Sequence, residues 1–175
     1  MLSRSCSVVA AALLLAALTG CTGSGKANPS PSPTGFASEE EAFAAAEELY
    51  RDYTAALNSY YAGADAYEPR LYLTADALTE GQAFLALMKE QDLQVDGEVE
   101  IRALQHGEAA AVESAWSVTL FVCLDYSGTR VLDAHGTDVT PERDESLALK
   151  VSLMTIERFR LAIEKSVATP EFPCG

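Results

Sequence analysis

Two periodicities divide the chain. Phe43, Ala46, Leu49, Tyr50, Tyr53, Leu57, Tyr60 and Tyr61 fall on one side of a helical wheel, and Glu40, Glu47, Glu48, Arg51, Asp52 and Asn58 on the other. Ser38 with Glu41 makes a capping box in front of this run, and three successive glutamates sit in the first turn, where the helix dipole favours anions. Gly63 lies just past the end, as a helix-terminating glycine should. The spacing predicts one long helix opening at Ser38. A weaker helical stretch follows. Pro69 bars continuation from before, Leu71 to Leu78 fits a short helix, and Thr79 with Gln82 resembles another capping box. Phe84, Leu87 and Met88 keep helical spacing up to about Asp92.

After Asp92 the period changes to two. Val95, Gly97, Val99, Ile101 and Ala103 alternate with Asp96, Glu98, Glu100 and Arg102, the pattern of a half-exposed strand, and His106-Gly107 reads as its turn. In the next strand Trp116, Val118, Leu120, Val122, Leu124 and Tyr126 share one face, with Ser117, Thr119, Phe121, Cys123 and Asp125 on the other. Ser127-Gly128 breaks it. A short strand around Arg130 to Leu132 leads into the turn Asp133-Ala134-His135-Gly136. Leu147, Leu149, Val151 and Leu153 mark another strand, and Phe159, Leu161 and Ile163 a last one. Helices first and a meander of strands afterwards predict an α+β fold. A long N-terminal helix and shorter helices would pack on a curved antiparallel sheet of four to six strands.

The start of the chain has neither periodicity. Arg4 supplies a basic end and Val8 to Leu18 an apolar run, shorter than the roughly 20 residues a bilayer span needs but suited to a signal peptide. The run closes in Leu18-Thr19-Gly20-Cys21, and this segment resembles the bacterial lipobox. The resemblance implies a lipid-modified Cys21, cleavage in front of it, and attachment to the extracytoplasmic face of the cell membrane; several acyl chains on one residue anchor durably. Residues 1–20 are then the signal peptide. Residues 21–37, with Gly23, Ser24, Gly25 and the run Pro29-Ser30-Pro31-Ser32-Pro33, form a spacer that reaches about 50 Å if fully extended. Residues 38–175 are one globular domain.

Charge narrows the partners. Removing residues 1–20 takes away Arg4 from the 12 basic residues and none of the 26 acidic ones, so the net charge moves from −14 to −15. Such a surface repels phosphate backbones and anionic headgroups, which excludes nucleic acid as an expected partner and leaves the lipid on Cys21 as the contact with the membrane. Of the four cysteines, Cys6 leaves with the signal and Cys21 takes the lipid, so Cys123 and Cys174 are expected to pair outside the cytoplasm. A loop of that length corresponds to roughly 4 kcal/mol in the chain-entropy model. There is no CxxC, and neither His lies near a cysteine, so no metal site is expected.

The order and lengths of the elements resemble the nuclear-transport-factor-like (cystatin-like) cone, in which a curved sheet wraps a long N-terminal helix. The Tyr50-Arg51-x-Tyr53 helix, the Val118-Thr119-x-x-x-Cys123-x-Asp125-x-Ser127 strand, the Val131-x-Asp133-x-x-Gly136 hairpin and Cys174 also look like small actinobacterial lipoproteins of that group. The final hairpin departs from the pattern, with Glu157-Arg158-Phe159 where a Trp-containing turn is expected. The resemblance implies a cone able to hold a pocket, and a group that includes isomerases and cyclases using a buried acid with tyrosine or histidine. On that reading Asp125 is the candidate base, with Tyr50 or Tyr53 as proton donors and pocket lining. Asp125 alternates with Thr119 and Cys123 on the polar face, however, where satisfying the next turn is the simpler role. His106 and His135 read as loop residues and Trp116 as core. There is no Gly-rich phosphate loop and no nucleophile elbow, so no cofactor is expected. The expected function is a non-catalytic binding or interaction module with a protein or small-molecule partner. The alternative is a tethered isomerase or cyclase acting on a small apolar ligand.

Overall fold

The computed structural model describes residues 35–64, 67–157, 160–172 and 174. The lipobox, Cys21 and most of the spacer lie outside them, as does Phe159. Among the described residues the fold is α+β: helices α1 (Glu39–Tyr61) and α2 (Ala75–Glu90) pack on a curved antiparallel sheet. The sheet has the order β2 (Glu100–Val112), β3 (Ala115–Asp125), β5 (Ser146–Glu157) and β6 (Arg160–Ala168). A second, two-stranded sheet pairs β1 (Gln94–Asp96) with β4 (Arg130–Leu132). No helix among the described residues is long and apolar enough to cross a membrane.

Helix α1 begins and ends as its sequence demands. The Ser38 hydroxyl accepts from the Glu41 N–H at 3.2 Å, and the Glu41 carboxylate reaches back to the Ala37 N–H, one residue before the cap. At the other end Gly63, at φ +94°, lets its N–H reach Tyr60 O while the Ala64 N–H reaches Ser59 O, the paired bonds of a Schellman stop. The inward stripe buries Ala42, Phe43, Ala46, Tyr50 and Thr54 against β2, β3 and β6. Opposite it, Val118, Leu120 and Val122 of β3 and Val151 and Leu153 of β5 are fully buried, so alternation and core agree. The packed unit extends past Ser38 into the Pro-rich segment's end: Phe36 is buried and meets Trp116 edge-on, ring centres 6.3 Å apart.

Several local expectations give way to tertiary pairing. Thr79 opens no helix; α2 runs unbroken from Ala75, and the Thr79 hydroxyl instead donates to the Ala75 carbonyl one turn back. His106-Gly107 is not a turn. It lies inside β2, where three steps from His106 to Ala109 match two from Leu120 to Val118, which makes it a β-bulge. Gly107 is needed there because a Cβ would stand 3.0 Å from both the Thr119 carbonyl and its methyl group. The true hairpin joins Val112 to Ala115 through Glu113-Ser114, with Glu113 at φ +55°. That dipeptide carries none of the Gly, Asn or Asp that favour two-residue hairpin turns, so the sequence points to the wrong place.

The alternating run from Val95 to Ala103 is likewise not one strand. It breaks at Gly97, and its two pieces join different sheets. Two contacts hold the break. The Asn58 side-chain amide donates to Val99 O at 2.9 Å and accepts from Val99 N at 3.0 Å, so this half-buried residue of α1 is a clamp and not part of a solvated face. Gly97, at φ +93°, presses against the Gly128 turn so closely that a Cβ would stand 2.0 Å from Gly128 O. Gly97→Ala should therefore lower stability by more than the ~1–2 kcal/mol of a left-handed L-residue alone, because the two turns must also separate. Thermal unfolding measures this. An alanine variant as stable as the parent would show that the close approach does not constrain the fold.

Candidate functional site

The break in the strand leaves room beneath α2. A cavity of about 370 Å³ opens between α1, α2, the small sheet and the inner face of the main sheet. Its apolar wall comes from Leu57, Leu73, Leu85, Met88, Val99 and Ile163. Val95 and Val131 close another side; they are register partners in the β1–β4 pair, so the small sheet presents both to the same space. Hydrogen bonds position the floor. The Thr74 N–H donates to Ile163 O and the Ile163 N–H to Tyr72 O, both at 2.8 Å, which stitches the entry to α2 onto β6. Gly81 gives Leu73 space, since a Cβ there would fall 2.7 Å from its terminal methyl.

The polar lining is dominated by tyrosines. Tyr53 and Tyr61 come from α1, Tyr67 from the loop after it, and Tyr126 directly follows β3. Ring contacts link Tyr50 to Tyr53 at 5.8 Å, Tyr53 to Tyr72 at 6.0 Å and Tyr67 to Tyr72 at 6.4 Å between centres. Burial raises the pKa of all four lining phenols above the ordinary 10.0, and their mutual proximity adds to this for Tyr61, Tyr67 and Tyr126. They are held as protonated hydroxyls.

Arg143, from the loop before β5, completes the lining. Its Nη2 donates to Thr129 O at 3.1 Å and to Thr129 Oγ1 at 2.6 Å, and its guanidinium carbon sits 5.4 Å from the Tyr126 ring centre. Arg143 is exposed, so it stands at the mouth, as do Glu80 and Phe84 of α2. Glu80 is the one carboxylate among the described lining residues.

The expected site residues are distributed unevenly about this cavity. Tyr53 is on its wall. Tyr50 is only 2% exposed and lies behind it, among the core side chains. Tyr126 and Arg143 went unforeseen: alternation puts Tyr126 on the inner face, but the Thr140–Glu145 loop has no pattern from which Arg143 could be placed. Asp125 is not on the cavity wall. It points from the other face of β3, where its Oδ1 accepts from the Ser127 N–H at 2.8 Å and its Oδ2 pairs with Arg102. Arg102 is the extra residue of a bulge between Ile101 and Ala103, which aims it across to Asp125. Cys123 and Phe121 share that outer face. The tail crosses it, bonding Cys174 to Cys123 with Cα atoms 5.4 Å apart and setting Phe172 against Phe121.

The two histidines are apart from the cavity. His106 stacks on Phe43 at 4.1 Å and meets Glu47 Oε1 at 2.7 Å. His135 sits in the expected turn, closed by Gly136 N–H to Asp133 O with Asp133 Oδ1 accepting from His135 and Thr137. Among the described residues no three His, Cys, Asp or Glu side chains gather as a metal site.

Comparison with known proteins adds to the fold alone. No family model matches the chain, and no curated protein matches it in sequence. Among solved structures it is similar to the intermembrane space region of the chloroplast protein ARC6, with a TM-score of 0.51 and 13% identity, over 70% of this chain and 92% of that one.

The Asp125 environment generates a pH prediction. The Ser127 backbone N–H first, then the Ser127 side chain and Arg102, hold its carboxyl below the ordinary 3.8. A carboxyl depressed by folding stabilises the native state above its unfolded value, and that contribution is lost as pH falls through the folded one. Asp125→Asn should therefore unfold at a lower temperature than the parent at pH 7, with the gap narrowing steadily from about pH 5 downward. A gap independent of pH would mean that the charge of Asp125 contributes nothing.

Proposed function

We propose that this chain is an extracytoplasmic lipoprotein, anchored through lipid on Cys21, whose folded unit is a non-catalytic module binding a small molecule beneath α2. The cavity carries the binding half. At about 370 Å³ it falls in the range of small-molecule sites, and it has the usual makeup of apolar walls with a few convergent polar groups. The makeup suits binding better than proton transfer, because the expected base Asp125 is off the cavity wall and is engaged by Ser127 and Arg102 on the other sheet face. The resemblance to the nuclear-transport-factor-like cone supports the presence of a pocket. The likeness to the ARC6 region concerns the fold and brings no function with it.

The anchoring half rests on Leu18-Thr19-Gly20-Cys21 after an apolar run of signal-peptide length. The acidic surface fits a domain held off an anionic membrane by its spacer.

Two experiments test the two halves. Cys21→Ala should incorporate no palmitate analogue, whereas a labelled variant would remove the lipoprotein reading. For the cavity, the neutral dye N-phenylnaphthylamine should brighten saturably at one site per chain. Leu57→Trp, which fills the cavity from α1, should abolish the signal while unfolding cooperatively within a few degrees of the parent. Equal brightening in the filled variant would place the dye elsewhere and defeat the binding reading.

A further inference from the structure

Two further hollows lie against the cavity beneath α2. One, of about 420 Å³, sits between the end of α1 and the small sheet, and the other between the end of α2 and Tyr60. Tyr61 and Val95 border the cavity and the first hollow, and Leu85 borders the cavity and the second. Met88 borders all three, and no other described residue does. The partition between these spaces therefore centres on Met88. Its setting differs from that of the other large buried side chains. Met88 is 6% exposed, yet it stands outside the contiguous core cluster. Its backbone is fixed: Asp92, at φ +48°, ends α2 and lets the Leu93 N–H donate to Met88 O at 2.8 Å. The side chain is unbranched, with three rotatable bonds and a thioether that fills irregular gaps.

We propose that Met88 is the end stop that sets how long an apolar molecule the cavity takes. Each methylene moved from water into an apolar site strengthens binding about fourfold. That gain ends where the chain meets a wall. At roughly 30 Å³ per water-sized volume, 370 Å³ holds about a dozen such volumes, so the limit falls among ordinary alkyl chains. Beyond Met88 the first hollow continues past Leu93 and Leu132, which offer further apolar surface. Shortening Met88 would join that space to the cavity between Tyr61 and Val95. This rests on the reading of the cavity as a binding site and adds the residue that fixes the length of its occupant. It asks for no charge on the ligand.

The test uses the chain from residue 21 onward, which holds every described residue, with Cys21→Ser to prevent lipidation. Octanol, decanol, dodecanol and tetradecanol, each below its solubility limit, would compete with N-phenylnaphthylamine. In the parent the gain per carbon should stop within this series. In Met88→Ala it should run at least two carbons further, so the first alcohol past the parent's limit binds about tenfold or more tighter than it does to the parent. Met88→Leu, of similar volume, should keep the parent's limit. Should Met88→Ala not unfold cooperatively, Met88→Val, which removes less packing, takes its place. Met1 is absent from this chain, so methyl labelling reads Met88 against Met154 of β5, which lines no part of the cavity. The longest alcohol within the limit should shift the Met88 signal and leave that of Met154 in place. A parent without a limit, a limit unmoved in the folded variant, or a Met88 signal that stays still overturns the end stop while the binding site stands. If neither the dye nor any alcohol binds, the binding reading falls as well.

Discussion

The fold turns on the break between Gly97 and Val99. A residue run whose alternation suits one straight strand is forced into two, because the Asn58 amide on α1 takes both backbone groups of Val99 and Gly97 is pressed against the Gly128 turn. Val99 is buried, so its N–H and C=O need partners, and a side-chain amide offers one donor and one acceptor at the spacing required. Freed from the main sheet, β1 finds β4. The resulting small sheet turns Val95 and Val131 towards α2 and walls a cavity that a continuous strand would have left open.

The two faces of β3 then take different work. Its inner face carries the core and ends at Tyr126, on the cavity wall. Its outer face carries Cys123, Phe121 and Asp125, which hold the tail and the β3–β4 turn. One residue's step along the strand separates a lining phenol from a structural carboxylate. Bulges provide the fine adjustment: Arg102, the extra residue in one of them, reaches Asp125, while the one at Gly107 lets β2 bend past Thr119 and Phe121. The lining carries Arg143, the phenols and, at its mouth, Glu80, while other carboxylates of the chain lie on solvated positions such as the outer side of α1.

Much was legible from local rules. The capping box at Ser38, the Schellman glycine at Gly63, the Asp133–Gly136 turn and the buried face of β3 depend on contacts within a few residues or on strict alternation, so the sequence states them directly. Burial of the Tyr53 ring followed from its place on the helix stripe, whereas the pocket beside it was implied only by the resemblance to the cone. By contrast, the hairpin at Glu113-Ser114, the bulge at His106-Gly107 and the continuous start of α2 were misread. Turn and cap preferences are weak, and pairing with Leu120, Val118 and Ile163 overrides them.

What the sequence determined by itself is therefore the class of fold, the helix ends, the inner and outer faces of β3, and the cysteines available to pair once Cys21 is set aside. These follow from periodicity and from chemistry local to a few residues. Which polar groups meet in space was decided only by tertiary structure. Asn58 reads as solvated until Val99 arrives 41 positions later, and Arg143 is an unremarked loop residue until Thr129 and Tyr126 orient it. The turn role of Asp125 toward Ser127 is local and legible, but its pairing with Arg102 is not. Each of these contacts depends on chain closure over long separations or on a bulge that shifts register by one, and neither leaves a mark in the local pattern.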